Sequence, residues 1–318
     1  MTASPAEPGP DTDTDTDAGN VTGPVLQWYA EHARDLPWRS PAVSPWGVLV
    51  SEVMLQQTPV ARVLPVWQAW LERWPTPAAL AADSPGEAVR AWGRLGYPRR
   101  ALRLHQSACA VVHRHAGELP SSRAELLALP GVGEYTAAAV ASFAFRQRHV
   151  VLDTNVRRVL VRVLGGRQLP PPGITRGERE RAATLLSDDP EVAATWSVAV
   201  MELGALVCTA ASPRCGVCPL AQRCAWRQAG YPAYDGPVRP AQQYAGTDRQ
   251  CRGRLLGVLR EESGSVHRSR LEAVWHRGAQ LDRCLAGLVT DGLVEAVGGG
   301  SYALPTGLPG HPEGTHKP

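Results

Sequence analysis

Apolar residues recur at three- and four-residue intervals from about residue 24 to residue 227, the spacing that lines one face of an α-helix. Turns containing proline or glycine interrupt the pattern, at Ser44-Pro45, Trp74-Pro75-Thr76-Pro77 and Leu129-Pro130-Gly131. No segment in that stretch alternates apolar and polar positions, so a mainly α body is expected. A polar, proline-containing linker follows over residues 229–249. Beyond it the pattern changes to three short helices, at 255–261, 270–275 and 281–288, and then a hairpin of 292–297 with 301–304 across three glycines. That order predicts a small winged-helix-like module at 250–305; an irregular helical appendage is the plainer alternative. Residues 1–23 and 306–318 are too poor in apolar side chains to order themselves and are expected to be disordered tails.

A chain of 318 residues with 44% hydrophobic and 20% charged content is ordinary for a globular protein of two or three domains. It has no run of about 18 apolar residues and no basic-then-apolar start, so neither a membrane span nor export is expected. The expected location is the cytoplasm, close to the nucleoid if the source is bacterial. The net charge of +3 includes the acidic run Asp11, Asp13, Asp15 and Asp17, which leaves the rest of the chain more basic than the total. Nearly all of that basicity is arginine, and Lys317 is the only lysine. Arginine suits phosphate binding, although genome composition accounts for the excess equally well.

Of seven cysteines, Cys109, Cys251 and Cys284 are scattered, while Cys208, Cys215, Cys218 and Cys224 crowd into seventeen residues as C-x6-C-x2-C-x5-C. An odd, uneven set argues against a secreted disulfide framework. Four thiolates so close in sequence can converge on one metal centre, and all-sulfur ligation fits either zinc or an iron–sulfur cluster.

Three further segments carry candidate chemistry. The turn at 129–137, L-P-G-V-G-E-Y-T-A, lies between helical stretches; Gly131 and Gly133 are expected at positive φ, with amides at the next helix start facing an anion. Most turns of this kind merely join helices. Glu52 stands inside an almost wholly apolar helix that begins after Ser44-Pro45, so its carboxyl should be desolvated and hold a proton near neutral pH, as a general acid must. From the helix alone, a structural glutamate paired with a buried arginine is the plainer reading. Asp153 follows the apolar run 150–152 and precedes a helical segment, which is also the position of an ordinary N-cap.

Taken in order, S-E-V-M-L-Q-Q-T at 51–58, the L-P-G-V-G-x-Y-T-A turn, L-D-T-N-V-R-R-V at 152–159 and the cysteine spacing resemble the adenine DNA glycosylase (MutY) family of the helix-hairpin-helix, endonuclease III superfamily. The resemblance spans about 24–227 and implies a two-module helical fold: a six-helix module at 42–145 with the helix-hairpin-helix, and a cluster module at 24–41 plus 146–228. It implies a cleft between the two, with Glu52 and Asp153 on opposite walls. It also implies a [4Fe–4S] cluster on Cys208, Cys215, Cys218 and Cys224, and DNA contacts from Gly131, Val132 and Gly133. Glu52 would protonate the adenine ring and Asp153 would stabilise the oxocarbenium-like sugar, with Tyr135 hydrogen-bonding beside them. Gln57 and Tyr97 match the residues that enter the DNA in the family, although Pro98 replaces a second tyrosine and Thr154 a glycine.

Bifunctional relatives carry a strand-cleaving lysine where this chain has Tyr135, so a monofunctional hydrolase of base excision repair is implied, acting as a monomer on adenine opposite guanine or 8-oxoguanine. The long family members add a Nudix-like domain that recognises 8-oxoguanine, for which the roughly 70 residues after the linker are too few; Arg260-Glu261-Glu262-Ser263-Gly264 echoes only part of a Nudix box. Two alternatives share most of these features: a thymine or uracil mismatch glycosylase, and a non-enzymatic iron–sulfur DNA-binding protein, which would need the cysteines and the turn but neither carboxylate.

Overall fold

The computed structural model describes residues 14–237 and 244–307; the expected tails at 1–13 and 308–318 and the linker's 238–243 lie outside the described residues. The chain is mainly helical and divides into two compact units, one formed by Met1–Arg39 with Ala138–Val238, the other by Ser40–Ala137 with Arg239–Pro318.

In the first unit, helices Thr14–His32, Thr154–Val163 and Pro190–Leu206 pack around Val25, Trp28, Val156, Val159 and Leu203. Helical structure begins at Thr14, within the 1–23 segment expected to be without structure, because Val21 and Val25 both bury in this core. Glu202 lies fully buried about one turn from the end of Pro190–Leu206 and is gripped by two arginines from the N-terminal segment. Arg34 donates to both of its oxygens, at 2.7 and 2.6 Å, and Arg39 adds a third bond at 2.8 Å. Burial alone would raise the Glu202 carboxyl, but the Arg34 and Arg39 bonds outweigh it and hold the group down at about 2.

In the second unit, helix starts follow one local rule. Ser44, Thr76 and Ser84 each accept from the amide three residues on, and a proline occupies the first helical position after each. This fixes helices Pro45–Leu55, Pro77–Ala81 and Pro85–Trp92, which join Val60–Arg73 and Arg99–Arg114 around a tryptophan core. Trp70 meets Trp74 and Trp92 edge-on, at 4.6 and 5.7 Å between ring centroids. Trp67 donates its indole N–H to the Gly47 carbonyl at 2.9 Å, and a Cβ on Gly47 would fall 2.7 Å from Val43 Cγ1, so a larger residue here would displace Val43.

The C-terminal residues of this unit form the three helices and hairpin expected, with one strand more. Helices Asp248–Glu261, Arg268–Val274 and Gly278–Thr290 bury Leu255, Leu259, Leu271, Leu281 and Leu285. Strands β1 (Val266–His267), β2 (Glu295–Gly298) and β3 (Ser301–Ala303) make an antiparallel sheet in the order β1-β3-β2, the layout of a winged helix. Two-residue β1 is too short to show an alternating pattern in sequence. The first helix starts at Asp248, inside the expected linker, because Thr247 caps it through the Gln250 amide. The module is joined to the helices before it by Gly86 N–H to the Pro305 carbonyl, 2.8 Å, and by Arg260 Nε to the Val89 carbonyl, 2.9 Å. No helix among the described residues is long and apolar enough to cross a membrane.

Candidate active site

Glu52 occupies the third turn of helix Pro45–Leu55, whose side chains are buried almost all round, and is itself only 7% exposed. Tyr135, in the first turn of Glu134–Phe145, donates its hydroxyl to Glu52 Oε2 at 3.1 Å. One turn along the first helix, Gln56 Nε2 reaches Thr136 Oγ1 at 3.3 Å. Two consecutive residues of the glycine-rich element are thereby tied to the helix that carries Glu52.

That element adopts the expected turn, with one correction. Gly131 has φ +79° and lies so close to Arg99–Arg114 that a Cβ would come within 2.7 Å of Arg103 Cβ. Gly133, expected at positive φ, does not lie there, and a Cβ on it would meet nothing within 4 Å. The Val132 amide is used inside the turn by the Leu129 carbonyl, 3.1 Å away.

Gln57 and Tyr97 also come together. Both are non-glycine residues in the left-handed region, at φ 55° and 47°, and Tyr97 donates to Gln57 Oε1 at 2.9 Å although its side chain is 54% exposed. Backbone strain at two exposed, mutually bonded residues marks a position shaped for something other than stability.

Arg100, which nothing in its local sequence singled out, organises this region. Its Nη1 donates to the carbonyls of Val53, Met54 and Gln56, and its Nη2 to Thr58 Oγ1 and the Gly96 carbonyl. It thus satisfies the last carbonyls of the Glu52 helix and places a cation at the negative end of that helix. Burial pulls its guanidinium down to about 10, so it stays charged at neutral pH. Arg100→Met should destabilise the protein by roughly 3 kcal/mol, because several buried carbonyls lose their donor at once. Denaturant unfolding measures this, and a loss below about 1 kcal/mol would show that the carbonyls find other partners.

In the other unit, Asp153 caps helix Thr154–Val163, as the plain reading expected. Oδ1 accepts from Val156 N–H at 2.6 Å and Oδ2 from Asn155 Nδ2 at 2.8 Å. Burial raises its carboxyl above the ordinary aspartate value, opposed by those two donors and by the charge of Arg158. Arg158 is buried too, donating to Asn155 Oδ1 and to the carbonyls of Gly204 and Cys208 at 2.7–2.8 Å. Asn155 and Arg158 escaped the sequence reading because only the fold places the Cys208 carbonyl beside them.

Cys208, Cys215, Cys218 and Cys224 line a single cavity, with Arg162 and Trp226 among its other walls. Arg162 is wholly buried; its Nη1 lies 3.4 Å from Cys208 Sγ, and its guanidinium covers the Trp226 ring at 4.6 Å. Burial, reinforced by the neighbouring thiols, pushes Cys218 up to about 11, and burial raises Cys224 as well. Burial therefore favours the protonated form of these two thiols until a positive centre displaces the protons. Among the described residues no three histidine, cysteine or carboxylate side chains close on a point that could hold a single ion. Four sulfurs converging on one cavity fit either zinc or an iron–sulfur cluster, and the buried Arg162 charge suits an anionic centre.

Residues 50–183, from within the Glu52 helix to beyond Asp153, match the model of the HhH-GPD superfamily base excision DNA repair proteins. The chain is similar to two mycobacterial proteins over most of its length. It is 53% identical over 295 residues to the adenine DNA glycosylase of Mycobacterium tuberculosis, covering 90% of this chain and 96% of that one. It is 54% identical over 282 residues to the adenine DNA glycosylase of Mycolicibacterium smegmatis, covering 88% and 94%. Among solved structures, a non-covalent endonuclease III–DNA complex aligns with TM-score 0.58 at 25% identity, covering 68% of this chain and 97% of that one. The chain therefore belongs to the HhH-GPD superfamily and, within it, to the adenine DNA glycosylase family.

Proposed function

We propose that this protein removes adenine mispaired with guanine or 8-oxoguanine, by acid-assisted hydrolysis of the N-glycosidic bond of a flipped nucleotide. The observation that carries the reading is the buried Glu52 carboxyl bonded to Tyr135, a proton donor on an apolar helix beside the glycine-rich turn. Adenine is a poor leaving group as an anion, so bond breaking needs a proton delivered to the ring. Tyr135 donates to Oε2, which fixes the carboxyl beside the glycine-rich turn.

As the bond from C1′ to the base breaks, its electron pair leaves with the protonated adenine and positive charge develops on the sugar. Asp153 stabilises that charge as an anion, its carboxylate aimed by Val156 and Asn155. Water then attacks C1′ and gives up a proton to a carboxylate, and the product is a free base with an intact abasic strand. Gln57 and Tyr97 enter the duplex to hold the flipped state, with Gly131, Val132 and Gly133 against the phosphate backbone. The enzyme works as a monomer on double-stranded DNA.

Cys208, Cys215, Cys218 and Cys224 hold a [4Fe–4S] cluster. When bound, the cluster supplies four iron–sulfur bonds that cross-link residues 208–224 and no group that touches the substrate. Metal analysis of anaerobically purified protein should find about four irons per chain; stoichiometric zinc without iron would contradict this assignment.

Because Tyr135 carries no amine and Lys317 is the only lysine, adenine excision should leave a strand that breaks only on alkali treatment, and borohydride should trap no covalent adduct. Efficient trapping would overturn the monofunctional mechanism.

A further inference from the structure

Within the unit that carries Glu52, a groove of about 1680 Å³, open to solvent, separates the helices of residues 45–114 from helix Asp248–Glu261 of the winged-helix-like module. Pockets for small ligands run to roughly 1,000 Å³, so this groove has room for more than a small molecule. Gln57 and Tyr97 lie on its wall.

Its charge is strongly one-sided. Arg62, Arg94 and Arg103 are exposed on one side, and Arg249 and Arg254 on the other, with Glu261 the only acidic residue of the lining. Arg99 and Arg252 share Asp291, while Arg90, Arg100 and Arg260 are turned toward backbone carbonyls. Arg249 and Arg254 have no carboxylate partner among the described residues; they lie over Tyr244 and Trp275, at 5.4 and 5.6 Å from the rings, and Arg254 also donates to the Val274 carbonyl at 3.3 Å. Next to Arg249 runs an unusually bare helix face. Gly253 and Gly257 are one turn apart in the middle of Asp248–Glu261, where glycine weakens a helix, yet a Cβ would approach nothing closer than 3.6 Å at Gly253 and nothing within 4 Å at Gly257. Packing does not require either glycine; at four-residue spacing from Arg249 they share its helix face and leave the groove wall low there.

We propose that helix Asp248–Glu261 is a second DNA-binding element, on which Arg249 and Arg254 contact backbone phosphates of the duplex lying in this groove. The third helix, Gly278–Thr290, would be the base-reading helix of an ordinary helix-turn-helix. Here its Arg283 is paired with Asp248 and does not line the groove. The contact is therefore to the backbone and independent of sequence, and it adds grip to any duplex, mispaired or not. This inference rests on the reading of the protein as a DNA glycosylase.

The test measures binding of the full-length protein to an undamaged and an A:8-oxoguanine duplex across about 50 to 200 mM salt. Arg249→Gln with Arg254→Gln should weaken binding to both duplexes roughly tenfold and lower the slope of log K against log salt by about 2. Gly253→Glu, which puts an anion on the groove wall, should weaken both in the same way. Arg270→Gln, on the same module but outside the groove lining, should bind as the parent does. Parent-like affinity and slope in the double variant would overturn the proposal, as would weaker binding with an unchanged slope. If the double variant melts early, Gly253→Glu decides alone, and parent-like binding by it overturns the proposal. Failure of the parent protein to excise adenine would instead sink the glycosylase reading and leave the binding result standing.

Discussion

Glu52→Gln should excise adenine at least about two orders of magnitude more slowly than the parent while still binding the mispaired duplex. The substitution changes volume by almost nothing, and the amide oxygen still accepts the Tyr135 hydroxyl that now reaches Oε2 at 3.1 Å. Helix Pro45–Leu55 keeps its Ser44 cap and its Arg100 contacts, so the loss isolates the proton. Single-turnover excision at saturating enzyme separates chemistry from binding. Near-normal rates would mean that the acid is another group.

Asp153→Asn should be the second severe loss, about 100- to 1,000-fold, the range of one well-placed electrostatic contact in a site shielded from water. Asparagine caps a helix as well as aspartate does, so the Val156 amide keeps its acceptor and the fold should survive. Binding and melting temperature should change little, while excision collapses. A variant that loses stability and activity in proportion would mean that Asp153 is only the cap of its helix.

The helical body was legible because its starts follow local chemistry: Ser44-Pro45, Thr76-Pro77 and Ser84-Pro85 each give a side-chain acceptor and a residue preset for the first helical turn. The C-terminal helices and hairpin were legible from period and glycines, whereas β1 was too short to leave a pattern. Glu52 stood out as a charge in an apolar helix, and resemblance carried it and Asp153 from ordinary structural residues to catalytic candidates. What stayed hidden was anything that depends on distant segments meeting. Arg100 is one of many arginines until the fold brings it against three carbonyls of the Glu52 helix. Arg158 and Arg162 become informative only beside Cys208, and Gly133 reads like Gly131 in sequence although only Gly131 has the close contact. The groove arginines are likewise invisible in a net charge of +3, because they converge from residues 62–103 and 249–254.

The central claim is that this chain is a glycosylase of mispaired adenine, and single-turnover excision by the iron-loaded, full-length protein on A:8-oxoguanine, A:G, T:G and U:G duplexes tests it most directly. Adenine should be released from the first two duplexes, leaving an alkali-labile strand, with the pyrimidine mispairs untouched. Release of thymine or uracil with adenine left in place would contradict the account and turn the same fold and carboxylates to a different base.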